Sequence, residues 1–139
     1  MQRRQKVREQ FSSQTNVEPE KLTITTLDQK LLQQAISVVS EHMHEPDFNV
    51  DQLATIIGVH RTGLNRKLKF ITGQTPIMFV RTLRLKRARQ IIEADPSMPV
   101  SQVAYQVGFN SPRLFARYFQ EEYGLKPSEF AHQLLTQKN

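Results

Sequence analysis

The pattern of apolar and polar positions sets the first element. Leu31, Leu32, Ala35, Ile36, Val39 and Met43 recur at helical spacing, which predicts an amphipathic helix with one buried side. Asp28 is the expected N-cap, because a short carboxylate there accepts from a backbone N–H of the first turn. Pro46 sets the end, since the residue before a proline is steered out of the helical region. Upstream of Asp28 the pattern fails. Residues 1–27 are polar and include Ser12-Ser13-Gln14-Thr15-Asn16. They are expected to form a linker, flexible or partly helical, with a short helix at Gln2–Phe11.

Beyond Pro46 the pattern repeats. Val50-Asp-Gln-Leu-Ala-Thr-Ile-Ile-Gly58 matches Val100-Ser-Gln-Val-Ala-Tyr-Gln-Val-Gly108, pairing Leu53 with Val103, Ala54 with Ala104 and Ile57 with Val107. After one inserted residue, Leu64 pairs with Phe115, Arg66 with Arg117, Leu68 with Phe119, Gly73 with Gly124, Pro76 with Pro127 and Phe79 with Phe130. Two copies are too few for a solenoid, so a supersecondary unit has been duplicated. Each copy reads as a short helix, a tight turn and a second helix. In the first copy Asn49 is placed to cap, with Gln52 completing a capping box. Gly58 and Gly108 stand where a left-handed residue ends the short helix, and Ala54 and Ala104 are small where two helices approach. The second helices are expected over 61–72 and 112–123. Ser111-Pro112 is a strong start for the latter, and Gly73 and Gly124 end the two helices. Helix, glycine-bearing turn, helix is the helix-turn-helix pattern, present here twice in register. Pro76 to Asp95 reads as a long helix between the copies. Its roughly 30 Å length is close to the ~34 Å turn of B-DNA, suited to holding the copies over successive major-groove faces.

Charge narrows the partner. The chain carries a formal +6, and Gln52 to Ile92 contains no Asp or Glu while holding Arg61, Arg66, Lys67, Lys69, Arg81, Arg84, Lys86, Arg87 and Arg89. A solvated helix face normally mixes signs. Crowded like charges, such as Arg81 with Arg84 and Arg66 with Lys69, destabilise a helix unless an anion offsets them, and phosphate is the simplest such anion. At 38% hydrophobic over 139 residues, the chain can build one small core, so one domain with a tail is expected. The absence of cysteine excludes disulfides and thiolate metal sites. No apolar run reaches the ~20 residues of a membrane span, and the N-terminus lacks the apolar stretch of a secretory signal. A soluble, cytoplasmic segment is expected.

Other chemistry finds little support. His42 and His44 are read as two apart on a helix, hence on different faces and a poor metal pair. His60 and His132 are isolated, and Glu121-Glu122 is expected to face solvent. No glycine-rich phosphate loop or nucleophile constellation is present, so neither enzymatic activity nor a cofactor nor a metal is expected. Phe109, Phe115, Phe119, Phe130 and Tyr123 have helical spacing and are assigned to the core of the second copy rather than to base stacking.

Residues 28–139 resemble the DNA-binding domain of the AraC/XylS family of transcription regulators. Arg84-Leu-Lys-Arg-Ala-Arg-Gln-Ile-Ile92 is similar to its linker-helix signature. Val103-Ala-Tyr-Gln-Val-Gly-Phe-Asn-Ser-Pro-Arg-Leu-Phe-Ala-Arg-Tyr-Phe119 with Gly124-Leu-Lys-Pro-Ser-Glu-Phe130 is similar to its second-unit signature. The resemblance implies an all-α fold of seven helices, a tandem helix-turn-helix domain. Unit one would span about 28–75, a linker helix about 76–95 and unit two about 96–139. It places Arg61, Thr62, Asn65 and Arg66 toward DNA in unit one, and Pro112, Arg113, Ala116 and Arg117 in unit two. Their chemistry agrees: Arg66, Arg113 and Arg117 can read guanine O6/N7, Asn65 adenine N6/N7, and Thr62 and Ala116 a thymine methyl. Lys67, Lys69, Arg81 and Arg84 are assigned to phosphates or to intramolecular pairing, and Arg84 equally to a structural role tying the linker helix to a unit.

The sequence departs from the family at His60, where Ser or Thr is usual, and at Gly63, which weakens the helix by roughly 0.5–1 kcal/mol. Unit two has fewer polar readers, so unit one is expected to supply most base discrimination. Thr23-Ile-Thr-Thr-Leu-Asp28 with Asp47-Phe-Asn-Val50 resembles one subgroup, the C-terminal output domains of hybrid two-component sensors. That implies a receiver-to-output linker over 1–27, a parent with histidine kinase activity in the inner membrane, and an activator. The implied partners are double-stranded DNA with a direct-repeat operator, RNA polymerase, and a second copy in the full-length protein, without membrane contact by this segment. The competing reading is a basic helical module that binds an acidic protein.

Overall fold

The computed structural model describes residues 24–137, which form seven α-helices and, among the described residues, no strand. They are α1 (Thr26–His42), α2 (Val50–Ile57), α3 (Arg61–Thr72), α4 (Pro76–Ala94), α5 (Val100–Gln106), α6 (Pro112–Tyr123) and α7 (Pro127–Gln137). The all-α expectation and the seven-helix count hold. The helix expected at Gln2–Phe11, and nearly all of the linker over 1–27, lie outside the described residues.

The start of α1 differs from expectation. Thr25, not Asp28, occupies the cap: its Oγ1 accepts from the Asp28 N–H at 3.1 Å, and Asp28 Oδ2 accepts from the Thr25 N–H at 3.2 Å. This reciprocal pair is a capping box with an aspartate at its third helical position. Asp28 also accepts from Lys67 Nζ at 3.0 Å and has a side chain only 5% exposed. Burial by itself raises the pKa of this carboxyl. The Lys67 and Thr25 hydrogen bonds and the Lys67 charge outweigh burial and hold it below its ordinary value. Further along, Gly58 and Gly108 have φ +87 and +94, and the amides that follow each, of Val59 and Phe109, donate back to Ala54 O and Ala104 O. α3 and α6 begin and end where the sequence places them, closed by Gly73 and Gly124. Their starts are unequal: Ser111 Oγ accepts from the Leu114 N–H at 3.1 Å, whereas His60 makes no side-chain cap.

The chain divides into two compact bodies. The first gathers the described residues through Val38 with Val50–Phe79. Ala35, Leu53, Leu64 and Leu68 are its fully buried residues, and α2 packs on α3. The second joins Val39–Asn49 to the described residues from Val80 onward. Its core is Leu85, Ala88, Ile92, Val103, Ala104, Val107, Phe115, Phe119 and Ala131, with Phe109, Tyr123 and Phe130 packed against it. The aromatic set is therefore core, as its spacing implies. In this body α5 packs on α6 and α6 on α7. Ala54 and Ala104, buried at 3% and 0%, admit the close approach of the short helix to its partner in each repeat.

Candidate nucleic-acid interface

α3 and α6 are two-sided because of where their apolar residues fall. On α3, Leu64, Leu68 and Ile71 are buried, while Arg61, Thr62, Asn65, Arg66 and Lys69 are exposed. At about 3.6 residues per turn, those five positions share the side away from the core. On α6, Phe115 and Phe119 are buried, Arg113 and Arg117 are exposed, and Pro112 and Ala116 are half-buried beside them. Each helix thus carries a cationic, hydrogen-bonding face opposite an apolar one, on the residues singled out from the sequence.

Within those faces the arginines differ. Arg61 Nη1 lies 2.9 Å from Asp51 Oδ1, with both side chains more than half exposed. Arg117 Nε lies 3.4 Å from Glu121 Oε2, also exposed. Exposed pairs contribute about 0–1 kcal/mol, so each holds its guanidinium loosely and can be exchanged for a stronger anion. Among the described residues, the side chains of Asn65, Arg66 and Arg113 make no hydrogen bond or ion pair, and all three residues are exposed. The carboxylates opposite Arg61 and Arg117 escaped the sequence reading. Asp51 is ten residues from Arg61 and lies just before the acid-free stretch begins.

The residues assigned to phosphates separate more sharply. Lys69 is exposed on the α3 face. Lys67 lies on the flank of α3 and is joined to the buried Asp28. The Arg81 guanidinium sits 4.2 Å from the centroid of the Tyr118 ring, a cation–π contact. Arg84 turns inward: its Nε donates to Met43 O at 3.2 Å and its Nη2 to Glu45 O at 2.9 Å. Burial pushes its pKa below the ordinary value. Of the two roles open to Arg84, the geometry places its donors on the protein's own carbonyls. Arg89, which sequence reasoning noted only as a charge, lies over Tyr123 and Phe130.

The histidines need one correction. α1 ends at His42, so His44 lies past the helix, and the two flank the Glu45 carboxylate at 3.3 and 3.8 Å. Among the described residues no group of three or more His, Asp or Glu could hold a metal, and no helix is long and apolar enough to cross a membrane.

Residues 53–133, more than half of the chain, match the family described as a helix-turn-helix domain. The chain is 35% identical over 130 residues to "Histidine kinase P4" of Formosa agariphila, covering 94% of this chain and 9% of that protein's length. Two solved structures superpose on most of it. One is a transcriptional regulator with an AraC-type DNA-binding domain from Chromobacterium violaceum, at TM-score 0.71 and 28% identity, covering 79% of this chain and 96% of that one. The other is the DNA-binding domain of AdpA, a global transcriptional factor, in complex with a target DNA, at TM-score 0.68 and 26% identity, covering 76% and 94%. Taken with the duplicated helix-turn-helix, these likenesses identify the chain as a member of the AraC-type helix-turn-helix family of DNA-binding transcription regulators.

Proposed function

We propose that the chain binds double-stranded DNA sequence-specifically as the output domain of a hybrid two-component signalling protein and acts as an activator. The observation that carries the specificity reading is the pair of exposed arginine faces on α3 and α6, each backed by a buried apolar face. In a helix-turn-helix the second helix lies in the major groove, with its N-terminal residues at the base edges. On this reading Arg66, Arg113 and Arg117 take guanine, Asn65 adenine, and Thr62 and Ala116 thymine, while Arg61 exchanges Asp51 for DNA. Lys69 meets phosphate from α3, and Arg81 meets phosphate from its own place over Tyr118. The likeness to a protein named a histidine kinase supports the hybrid context. There a receiver would precede this segment, the parent would sit in the inner membrane with this domain in the cytoplasm, and paired copies would occupy direct repeats and engage RNA polymerase.

Selection of bound duplexes from a random pool tests the central claim. A defined sequence is expected, with affinity falling steeply as salt rises. Arg66→Ala is expected to weaken the selected site by about 1–3 kcal/mol and to relax preference at one base pair. If random duplexes bind as tightly as selected ones, specificity is lost; if no duplex binds at low salt, the basic protein-interaction reading replaces it. The regulatory claim has its own measurement. Phosphorylating the receiver of the cytoplasmic part of the parent is expected to tighten binding to a direct repeat in gel shifts, and unchanged affinity would reject the switch.

A further inference from the structure

The apolar residues of α6 are almost all used internally. Phe115 and Phe119 are fully buried, and Tyr118 and Tyr123 pack on the same core. Leu114 is the exception: it is 44% exposed and takes no part in that core. It lies in the first turn, three residues before Arg117 and therefore its neighbour on the helix surface, and it follows Arg113 directly. Its backbone N–H is held by the Ser111 cap, so the turn that carries the side chain is anchored. An isolated leucine among solvent-facing arginines meets water in the free protein and gains only from an apolar surface inside an otherwise anionic partner.

The duplication supplies an independent comparison. The matched position on α3 is Gly63. A Cβ added there would meet nothing within 4 Å, and its backbone is not left-handed. The fold therefore does not require glycine at Gly63, just as it does not bury leucine at Leu114. At one matched and open position the first repeat presents no side chain and the second an aliphatic one.

We propose that Leu114 is a specificity residue that covers a thymine C5-methyl in the major groove, and that Gly63 leaves the equivalent contact unmade by α3. The methyl is the one apolar group on a base edge there, and Arg113 and Arg117 supply the matching cationic surround for the phosphates and guanines beside it. This deepens the sequence-specific reading and rests on it. It also reassigns part of the discrimination to the second repeat, whose polar readers are fewer.

The experiment replaces each thymine of the selected duplex, one at a time, by deoxyuridine, which removes only the methyl. The wild-type chain is expected to lose about fourfold in affinity at one thymine, ~0.8 kcal/mol for one buried carbon group. That thymine should neighbour the base pair at which Arg117→Ala relaxes preference. At that thymine Leu114→Ala should bind the thymine and deoxyuridine duplexes equally, with any methyl effect of Thr62 or Ala116 kept elsewhere and an unchanged circular dichroism spectrum because the side chain is exposed. The wild-type arm needs no variant, so a folding defect in Leu114→Ala cannot obscure the result. Equal binding of all deoxyuridine duplexes by the wild type overturns the inference while leaving sequence specificity intact. So does a result in which no deoxyuridine effect is lost in Leu114→Ala, which would assign every methyl contact to Thr62, Ala116 or another residue. A pool that yields no preferred sequence overturns the specificity reading and this inference with it.

Discussion

Gly108→Ala is expected to destabilise the second body by about 2–5 kcal/mol, the sum of a left-handed backbone penalty and a forced displacement. Gly108 has φ +94, where an L side chain is strained, and a Cβ there would collide with the carbonyl oxygen of Met43 and crowd the Arg84 guanidinium. That carbonyl is one of the two that Arg84 holds. Relieving the clash therefore also disturbs a charge-assisted hydrogen bond in a half-buried place. Gly58 is the internal control. It occupies the same position in the first repeat with φ +87, yet an added Cβ meets nothing within 4 Å, so Gly58→Ala should lose only the backbone component, about 1–2 kcal/mol. Urea denaturation followed by circular dichroism measures both, and hydrogen exchange locates the loss. Equal effects of the two substitutions would show that the Met43 contact contributes nothing.

Phe119→Ala is expected to remove about 3–5 kcal/mol, as large-to-small changes at fully buried aromatic sites do. Phe119 is completely buried. Its ring stands 4.8 Å from Tyr123, 5.7 Å from Phe115 and 5.9 Å from Phe130, all tilted, and such pairs add about 0.5–1.5 kcal/mol beyond burial. The matched residue of the first repeat is Leu68, also fully buried. Phe119→Leu gives the second repeat the residue of the first and should be milder than Phe119→Ala, because it keeps aliphatic volume while losing the ring contacts. The midpoint of urea denaturation orders the two variants. A Phe119→Ala loss below about 1 kcal/mol would mean that the aromatic cluster is not what stabilises this body.

The exposed faces of α3 and α6 and the interior beneath them came from different kinds of information. Helix limits were legible because their signals are local. Ser111-Pro112, Gly73 and Gly124 act on backbone groups within four residues. Leu64 and Leu68, like Phe115 and Phe119, show the period that orients each helix. Even locally there was ambiguity. Thr25 and Asp28 can each cap a helix, and only the reciprocal bonds assign Thr25 to the cap and Asp28 to the third helical position. The fates of the cations were legible only as alternatives, phosphate or internal pairing. Lys67 and Arg84 look alike in a basic run, but their partners are 39 to 41 residues away, and nothing near them in the chain specifies those encounters.

By itself the sequence determined the all-helical class, the duplication, the turns at Gly58 and Gly108 and the face that each second helix turns away from its apolar residues. Each of these follows from periodicity, capping or backbone preference over a few positions. The tertiary structure decided the partner of each cation and the exposure of each apolar residue. It turned Arg84 onto the carbonyls of Met43 and Glu45, joined Lys67 to Asp28, set Arg81 over Tyr118, and left Leu114 outside the core that took Phe115 and Phe119. The physical reason is that a side chain's charge and size are local properties, whereas its partner and its exposure depend on what distant segments bring against it.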